Sequence, residues 1–332
     1  MREVPVIIRP ASRAGEPAPA FQDRFASDVE YYLSQSPRQL PSHYLYDELG
    51  SALFEAICRL PWYSPTRAEA RLLRAHARAI FDTVHPVSTV LELGAGSGDK
   101  LALLLDGADW SARVPAVHLV DISPSALDQA SRTLAALGDI QVVTHEGTYE
   151  SGLAEFSRAH PAGRALVLFL GSNIGNFDPP GCEAFVQMVR AALRRRDAVL
   201  LGTDLVKPER DLLLAYDDPL GVTAAFNRNL LVRINRELDG AFDLAAFGHR
   251  AVWNEAESRV EMHLVSLRAQ RIEVRRAGLD FVMSAGETIW TESSYKFQPE
   301  QVATLLRRNG FRVVTQWCDS ADEFALTLAE AL

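Results

Sequence analysis

Short apolar runs alternate with stretches of helical spacing through the middle of the chain, and that alternation predicts its architecture. Thr89–Leu93 is apolar and β-branched at its start, which predicts a buried strand. Val117–Val120, Ile140–Thr144, Ala165–Leu170 and Ala198–Leu201 predict four more strands. Between them Lys100–Leu105, Pro124–Leu137 and Pro180–Arg194 read as helices, and Ser123 with Pro124 supplies an N-cap and a first-turn proline. Arg67–Phe81 is a helix leading into the first strand. Strand and helix in such alternation mean a parallel sheet covered on both faces.

The rhythm breaks after Val206. Lys207–Asp239 has helical character interrupted at Asp217-Asp218-Pro219. Ser258–Leu267 alternates as a half-exposed strand with Val260, Met262 and Leu264 on one face, and Arg271–Met283 gives one or two strands around Gly278. A helix at Pro299–Arg308 and strands at Phe311–Trp317 and Glu323–Leu328 then return to the sheet. Near the start, Phe21–Ser34 has helical spacing, and Tyr44–Arg67 is rich in aromatics and punctuated by Gly50, Pro61 and Pro65. Residues 1–20 hold four prolines among small and charged residues, a flexible or extended leader. The expected organisation is α/β. A Rossmann-like sheet domain takes 68–205 plus 296–332, and a smaller α+β domain takes 21–67 plus 206–295.

Composition narrows the function. The chain has 332 residues, 48% of them hydrophobic and 23% charged, enough for one large or two modest cores. A net charge of −9 argues against a nucleic-acid surface. Cys58, Cys182 and Cys318 are isolated and the eight histidines scattered, so no metal is expected and a reducing cytoplasm suits the chain. No apolar run approaches the ~20 residues that span a bilayer, so no membrane partner is expected.

The candidate chemistry starts at Val90–Lys100, V-L-E-L-G-A-G-S-G-D-K. Strand, glycine turn and helix bring backbone close to a nucleotide. The spacing is G-x-G-x-G, and Asp99 stands where a dinucleotide fingerprint wants glycine. An acidic residue there suits S-adenosylmethionine, a sulfonium without phosphate, better than a pyrophosphate; an ordinary tight βα turn is the plain alternative. Asp121, at the end of the second strand, can accept both ribose hydroxyls or serve the start of the following helix. Thr148 and Tyr149 follow the third strand, where an adenine would lie. Asn173 and Asn176 follow the fourth strand and can hold a polar group or simply stabilise a turn.

Longer motifs run in order along the chain. They are Y-D-E-L-G-S-A-L-F-E-A-I-C-R-L-P-W-Y-S-P-T-R-A-E-A, L-E-L-G-A-G-S-G-D-K, F-L-G-S-N-I-G-N, L-L-G-T-D-L-V-K, A-Y-D-D-P-L-G-V-T-A-A-F-N-R-N, R-V-E-M-H-L and T-E-S-S-Y-K-F. Across about residues 25–332 the sequence resembles the histidine Nα-methyltransferases of ergothioneine biosynthesis. These use S-adenosylmethionine to methylate the α-amine of L-histidine three times, giving hercynine. The resemblance implies a class I methyltransferase sheet, with Gly94, Gly96, Lys100 and Asp121 on the cofactor side and Thr148 and Tyr149 by the adenine. Family members carry Asp where this chain has Thr148. It further implies that Tyr63, Asn176 and Tyr216 hold the carboxylate and amine end of the amino acid. Glu292 and Ser294 would hold the imidazole, Met262 would pack against the ring, and Tyr46 would lie near the amine. Tyr46 and Tyr63 are the catalytic candidates: a phenol can relay the amine proton, and an aromatic face suits the quaternary product. The expected partner is a small amino acid, L-histidine, and the expected state a monomer. Methylation of tryptophan or another aromatic amino acid stays open as an alternative, as does a cofactor-binding module without turnover.

Overall fold

The computed structural model describes residues 18–108, 115–138, 140–159 and 163–332. The expected leader falls almost wholly outside the described residues. The chain forms two compact units. One combines Ser64–Val206 with Tyr295–Leu332, and the other combines the stretch ending at Tyr63 with Lys207–Ser294.

In chain order the second unit begins with α1 (Ala18–Leu33), β1 (Arg38–Gln39) and α2 (Glu48–Cys58). Asp47 caps α2 by accepting a hydrogen bond from the amide of Gly50. Gly50 therefore does not interrupt this stretch as its sequence suggests. It lies in the first turn of α2, where a Cβ would come within 1.7 Å of the Leu45 carbonyl oxygen. Pro65 is likewise no stop: it opens α3 (Ser64–Val84), where a missing N–H costs nothing.

The sheet unit continues with β2 (Val87–Leu93), α4 (Asp99–Asp106), β3 (Ala116–Asp121), α5 (Pro124–Ala135), β4 (Val142–Glu146), α6 (Tyr149–Ala159), β5 (Arg164–Phe169), α7 (Pro179–Ala192) and β6 (Ala198–Asp204). After the excursion into the second unit it closes with α10 (Pro299–Arg308), β12 (Phe311–Asp319) and β13 (Phe324–Ala331). The seven strands lie in the order β12-β13-β6-β5-β2-β3-β4. Neighbours from β6 to β4 are parallel, and β13 runs antiparallel to both β6 and β12. This is a Rossmann-like sheet, as the alternation of apolar runs and helical stretches predicts. Successive residues of β2 feed opposite faces, as the pleat requires. Val90 joins Leu72, Leu73, Leu101, Leu104 and Leu134 on one side, while Leu91 and Leu93 join Phe156, Phe185 and Val186 on the other.

The second unit resumes with α8 (Glu209–Tyr216), α9 (Val222–Leu238), β7 (Phe247–Asn254), β8 (Arg259–Ser266), β9 (Gln270–Val274), β10 (Leu279–Met283) and β11 (Thr288–Tyr295). Its four-stranded sheet has the order β1-β11-β8-β7, and β9 with β10 forms a hairpin turning at Gly278, whose φ is +62°. Val260, Met262 and Leu264 of β8 are buried together with α1 residues Phe25, Val29 and Leu33. Among the described residues no helix is long and apolar enough to cross a membrane.

Candidate functional site

In the sheet unit the chain proceeds outward from β2 to β3 and β4, then returns to β5 on the other side of β2. Open α/β sheets bind ligands at such a reversal, beyond the carboxyl ends of the strands. Gly94 and Gly171 stand just past the two strands at this point. The turn after β2 needs glycine: Gly94, Gly96 and Gly98 have φ of +79°, +52° and +77°. A Cβ on Gly98 would meet Ala130 Cα at 2.8 Å, so α5 packs directly on the turn, whereas above Gly96 nothing lies within 4 Å.

Asp121 reaches back to this turn. Its Oδ2 accepts from the Gly96 amide at 3.1 Å and its Oδ1 from the Ser123 amide at 2.9 Å, leaving further lone pairs on both oxygens. Burial pushes the Asp121 carboxyl above the usual carboxylate range, and the backbone donors oppose that shift. Thr148 sits at the start of α6, where its hydroxyl accepts from the Ser151 amide. Tyr149 packs edge-on against Phe169, Phe177 and Phe185, and a Cβ on Gly94 would lie 3.3 Å from its hydroxyl. Burial, then the charges of Asp121 and Glu150, raise its phenol pKa. Asn176 ends a 3-10 turn, Asn173–Asn176, and is half-buried. Asn173 is the side chain of that turn that approaches the glycines: its Nδ2 would be 3.0 Å from a Cβ on Gly94.

Lys100 lies in the first turn of α4 and pairs at 2.7 Å with Glu69, a wholly buried residue of α3. Glu92, at the end of β2, is also buried, and its Oε2 accepts no hydrogen bond from the described residues. Burial raises the Glu92 pKa to about 8; Lys100 opposes the rise and Glu69 and Asp121 add to it. The edge thus offers open glycine backbone, a carboxylate with spare acceptor capacity, an ammonium and several acids. That set fits a nucleoside with a cationic, phosphate-free tail.

In the second unit the sequence candidates form a connected aromatic group. Tyr46 meets Phe54 and Phe226 edge-on, each at 5.5 Å between ring centroids. Phe54 meets Tyr63 at 6.2 Å, and Tyr63 meets Tyr216 at 6.3 Å. The Tyr216 hydroxyl donates to Ser294 Oγ at 2.7 Å. Glu292 and Ser294 are two residues apart on β11, so they project to one side of the strand, and both are buried. The Glu292 carbonyl accepts from the Trp290 indole N–H at 2.9 Å. Met262 is buried in the same core as Tyr63 and Tyr216. Phe54 and Phe226 went unmarked in the sequence; they stand inside recognised motifs, but only contact with the tyrosines gives them a place. His249 went unmarked too. The Tyr216 carbonyl can only accept, so His249 Nε2 carries the proton toward it (2.8 Å), and Nδ1 accepts from the Asn227 amide (2.9 Å). Burial, opposed by the Tyr216 carbonyl, lowers the His249 pKa below the ordinary imidazole value.

The family model for histidine-specific, SAM-dependent methyltransferases matches residues 25–331. A histidine N-alpha-methyltransferase of Mycobacterium tuberculosis is 40% identical over 303 residues, which is 91% of this chain and 93% of that protein. One from Mycolicibacterium smegmatis is 41% identical with the same coverage. The ergothioneine biosynthesis protein 1 of Schizosaccharomyces pombe is 27% identical over 289 residues, 84% of this chain and 37% of that longer protein.

Proposed function

Because the chain belongs to the family of SAM-dependent, histidine-specific methyltransferases, we propose that it converts L-histidine to hercynine by three methylations of the α-amine. This is the methyl-transfer chemistry of ergothioneine biosynthesis. S-adenosylmethionine, when bound, supplies an electrophilic methyl carbon on a sulfonium. Gly94, Gly96, Lys100, Asp121, Thr148 and Tyr149 would hold it. Spare acceptor capacity on Asp121 suits ribose hydroxyls, and the open space above Gly96 suits close approach of a ligand to backbone.

Each transfer forms an N–C bond as an S–C bond breaks, and one proton leaves per methyl. The amine must therefore present a lone pair. Tyr46 is assigned to relay its proton, and Tyr63 and Tyr216 to hold the amino-acid end, with Asn176 as a further ligand of the amino acid. After the third transfer the nitrogen has no N–H to donate. The rings of Tyr46, Phe54, Tyr63 and Phe226 then suit a cation that only aromatic faces can recognise.

The observation that carries the choice of histidine is Glu292, a carboxylate only 9% exposed beside the Tyr216–Ser294 hydrogen bond. An imidazole N–H can add a hydrogen bond to such a carboxylate, and a side chain without an N–H to offer forgoes it. Met262 would line the ring. A cytoplasmic, monomeric enzyme is part of the same proposal, the cytoplasm suggested by Cys58, Cys182 and Cys318, which form no disulfide among the described residues.

Incubation with S-adenosylmethionine and histidine, followed by mass spectrometry, is expected to give a product three methyl groups heavier. Calorimetric titrations with S-adenosylhomocysteine present are expected to show histidine binding more tightly than tryptophan. Tighter tryptophan binding would replace the proposed substrate.

A further inference from the structure

A buried carboxylate that the sequence did not flag lies at the point where the sheet's strand order reverses. Glu69 projects from the inward face of α3, among Ala68, Leu72 and Leu73, and is 0% exposed. It ties together three elements. Both carboxylate oxygens accept from the amide of Gly171, just past β5, at 2.9 Å, and Oε2 also accepts from Lys100 Nζ, at the start of α4, at 2.7 Å. The surroundings are cut to fit it. A Cβ on Gly202 of β6 would come within 2.0 Å of Glu69 Oε1, and a Cβ on Gly171 within 2.9 Å of Lys100 Nζ.

Placing an ion in an apolar core is costly unless its partners are close and well aligned. A helix face that served only to fill space would carry an apolar residue here. Glu69 is too deep to touch a ligand, whereas the Lys100 side chain is 27% exposed. One ammonium proton is taken by Glu69, which fixes the directions of the other two. Glu92, facing the same ammonium and buried, stays largely protonated near neutral pH and does not compete for it.

We propose that Glu69 is a positioning residue that aims Lys100 and fixes the Gly171 turn for the carboxylate of the cofactor's amino-acid tail. The proposal rests on the methyltransferase reading and adds to it a determinant outside the glycine turn. It makes a selective prediction: loss of Glu69 weakens ligands that carry the amino-acid tail and spares those that end at the thioether.

The test is calorimetric binding of S-adenosylhomocysteine and of 5′-methylthioadenosine, which keeps the nucleoside and sulfur but lacks the tail. Glu69→Gln turns one acceptor into an N–H donor facing other donors. It is expected to weaken S-adenosylhomocysteine tenfold or more while 5′-methylthioadenosine binds within about twofold of wild type. Lys100→Met should give the same selective loss, with no further loss when Glu69→Gln is added. Unchanged binding of both ligands, or equal weakening of both, overturns the proposal. Glu69→Asp, with a shorter reach, is judged by the same ratio of affinities should the glutamine variant not fold. Wild-type protein that binds neither ligand would instead count against the methyltransferase reading itself.

Discussion

Glu92, the penultimate residue of β2, is a buried acid whose Oε2 has no hydrogen-bond donor among the described residues, and a proton is the simplest way to neutralise it. Its pKa is raised from 4.5 to about 8, chiefly by burial. The native state therefore keeps a proton that the unfolded chain has lost between those two values. The stability this group contributes is full below pH 4.5, falls as pH rises toward 8 and levels off above it. Glu92→Gln, neutral throughout, is expected to gain on wild type by roughly 2–4 kcal/mol from pH 5 to pH 8 in urea unfolding. Parallel pH profiles for the two proteins would show that Glu92 is ionised in the native state. At this scale the sequence was informative where a residue type carries its own meaning. The three glycines after β2 form the turn that their spacing suggested, each with a positive φ. Glu69 was illegible because nothing local distinguishes it from the solvated acids of any amphipathic helix.

Among the elements of the sheet unit, Asp204 at the end of β6 forms an ion pair with Lys296, 2.9 Å away, and both side chains are almost wholly buried. The Phe297 amide donates to the Asp204 carbonyl, and the Val206 amide to the Phe297 carbonyl. The Asp204 amide in turn donates to Ser172 Oγ, which anchors the turn bearing Asn173 and Asn176. Lys296→Met leaves a buried carboxylate without its cation and is expected to cost about 3–5 kcal/mol in chemical denaturation. Adding Asp204→Asn should recover most of that loss. A single-variant cost below about 1 kcal/mol would mean that water or other groups already neutralise Asp204. The sheet's strands were legible as near-continuous apolar runs because parallel strands are buried on both faces. The alternation of β8 was equally clear. β7 and β11 escaped notice. β11 reads T-I-W-T-E-S-S-Y, and burial of Glu292 and Ser294 breaks the polar-out pattern on which strand recognition depends.

At the scale of the whole molecule, each ligand is expected to leave its own footprint in amide hydrogen exchange. S-adenosylhomocysteine should slow exchange in the sheet unit around Gly94–Gly98 and Asp121. Histidine, added afterwards, should slow exchange in the second unit along β11 and α8. Histidine protection that never reaches β11 would remove Glu292 and Ser294 from the substrate's contacts. The order of apolar runs along the chain was enough to determine the doubly wound sheet and the interruption of its rhythm after Val206, because periodicity reports which face of an element is buried. Long ordered motifs pointed to the family and to the tyrosines, Glu292 and Ser294. Tertiary structure alone decided which of these side chains meet. Glu69 finds Lys100 and the amide of Gly171, 102 residues away in sequence, and the Tyr216 hydroxyl finds Ser294, 78 residues away. Partners so far apart leave no trace in a local pattern: their energies depend on burial and distance, and both come into being only when the chain closes on itself.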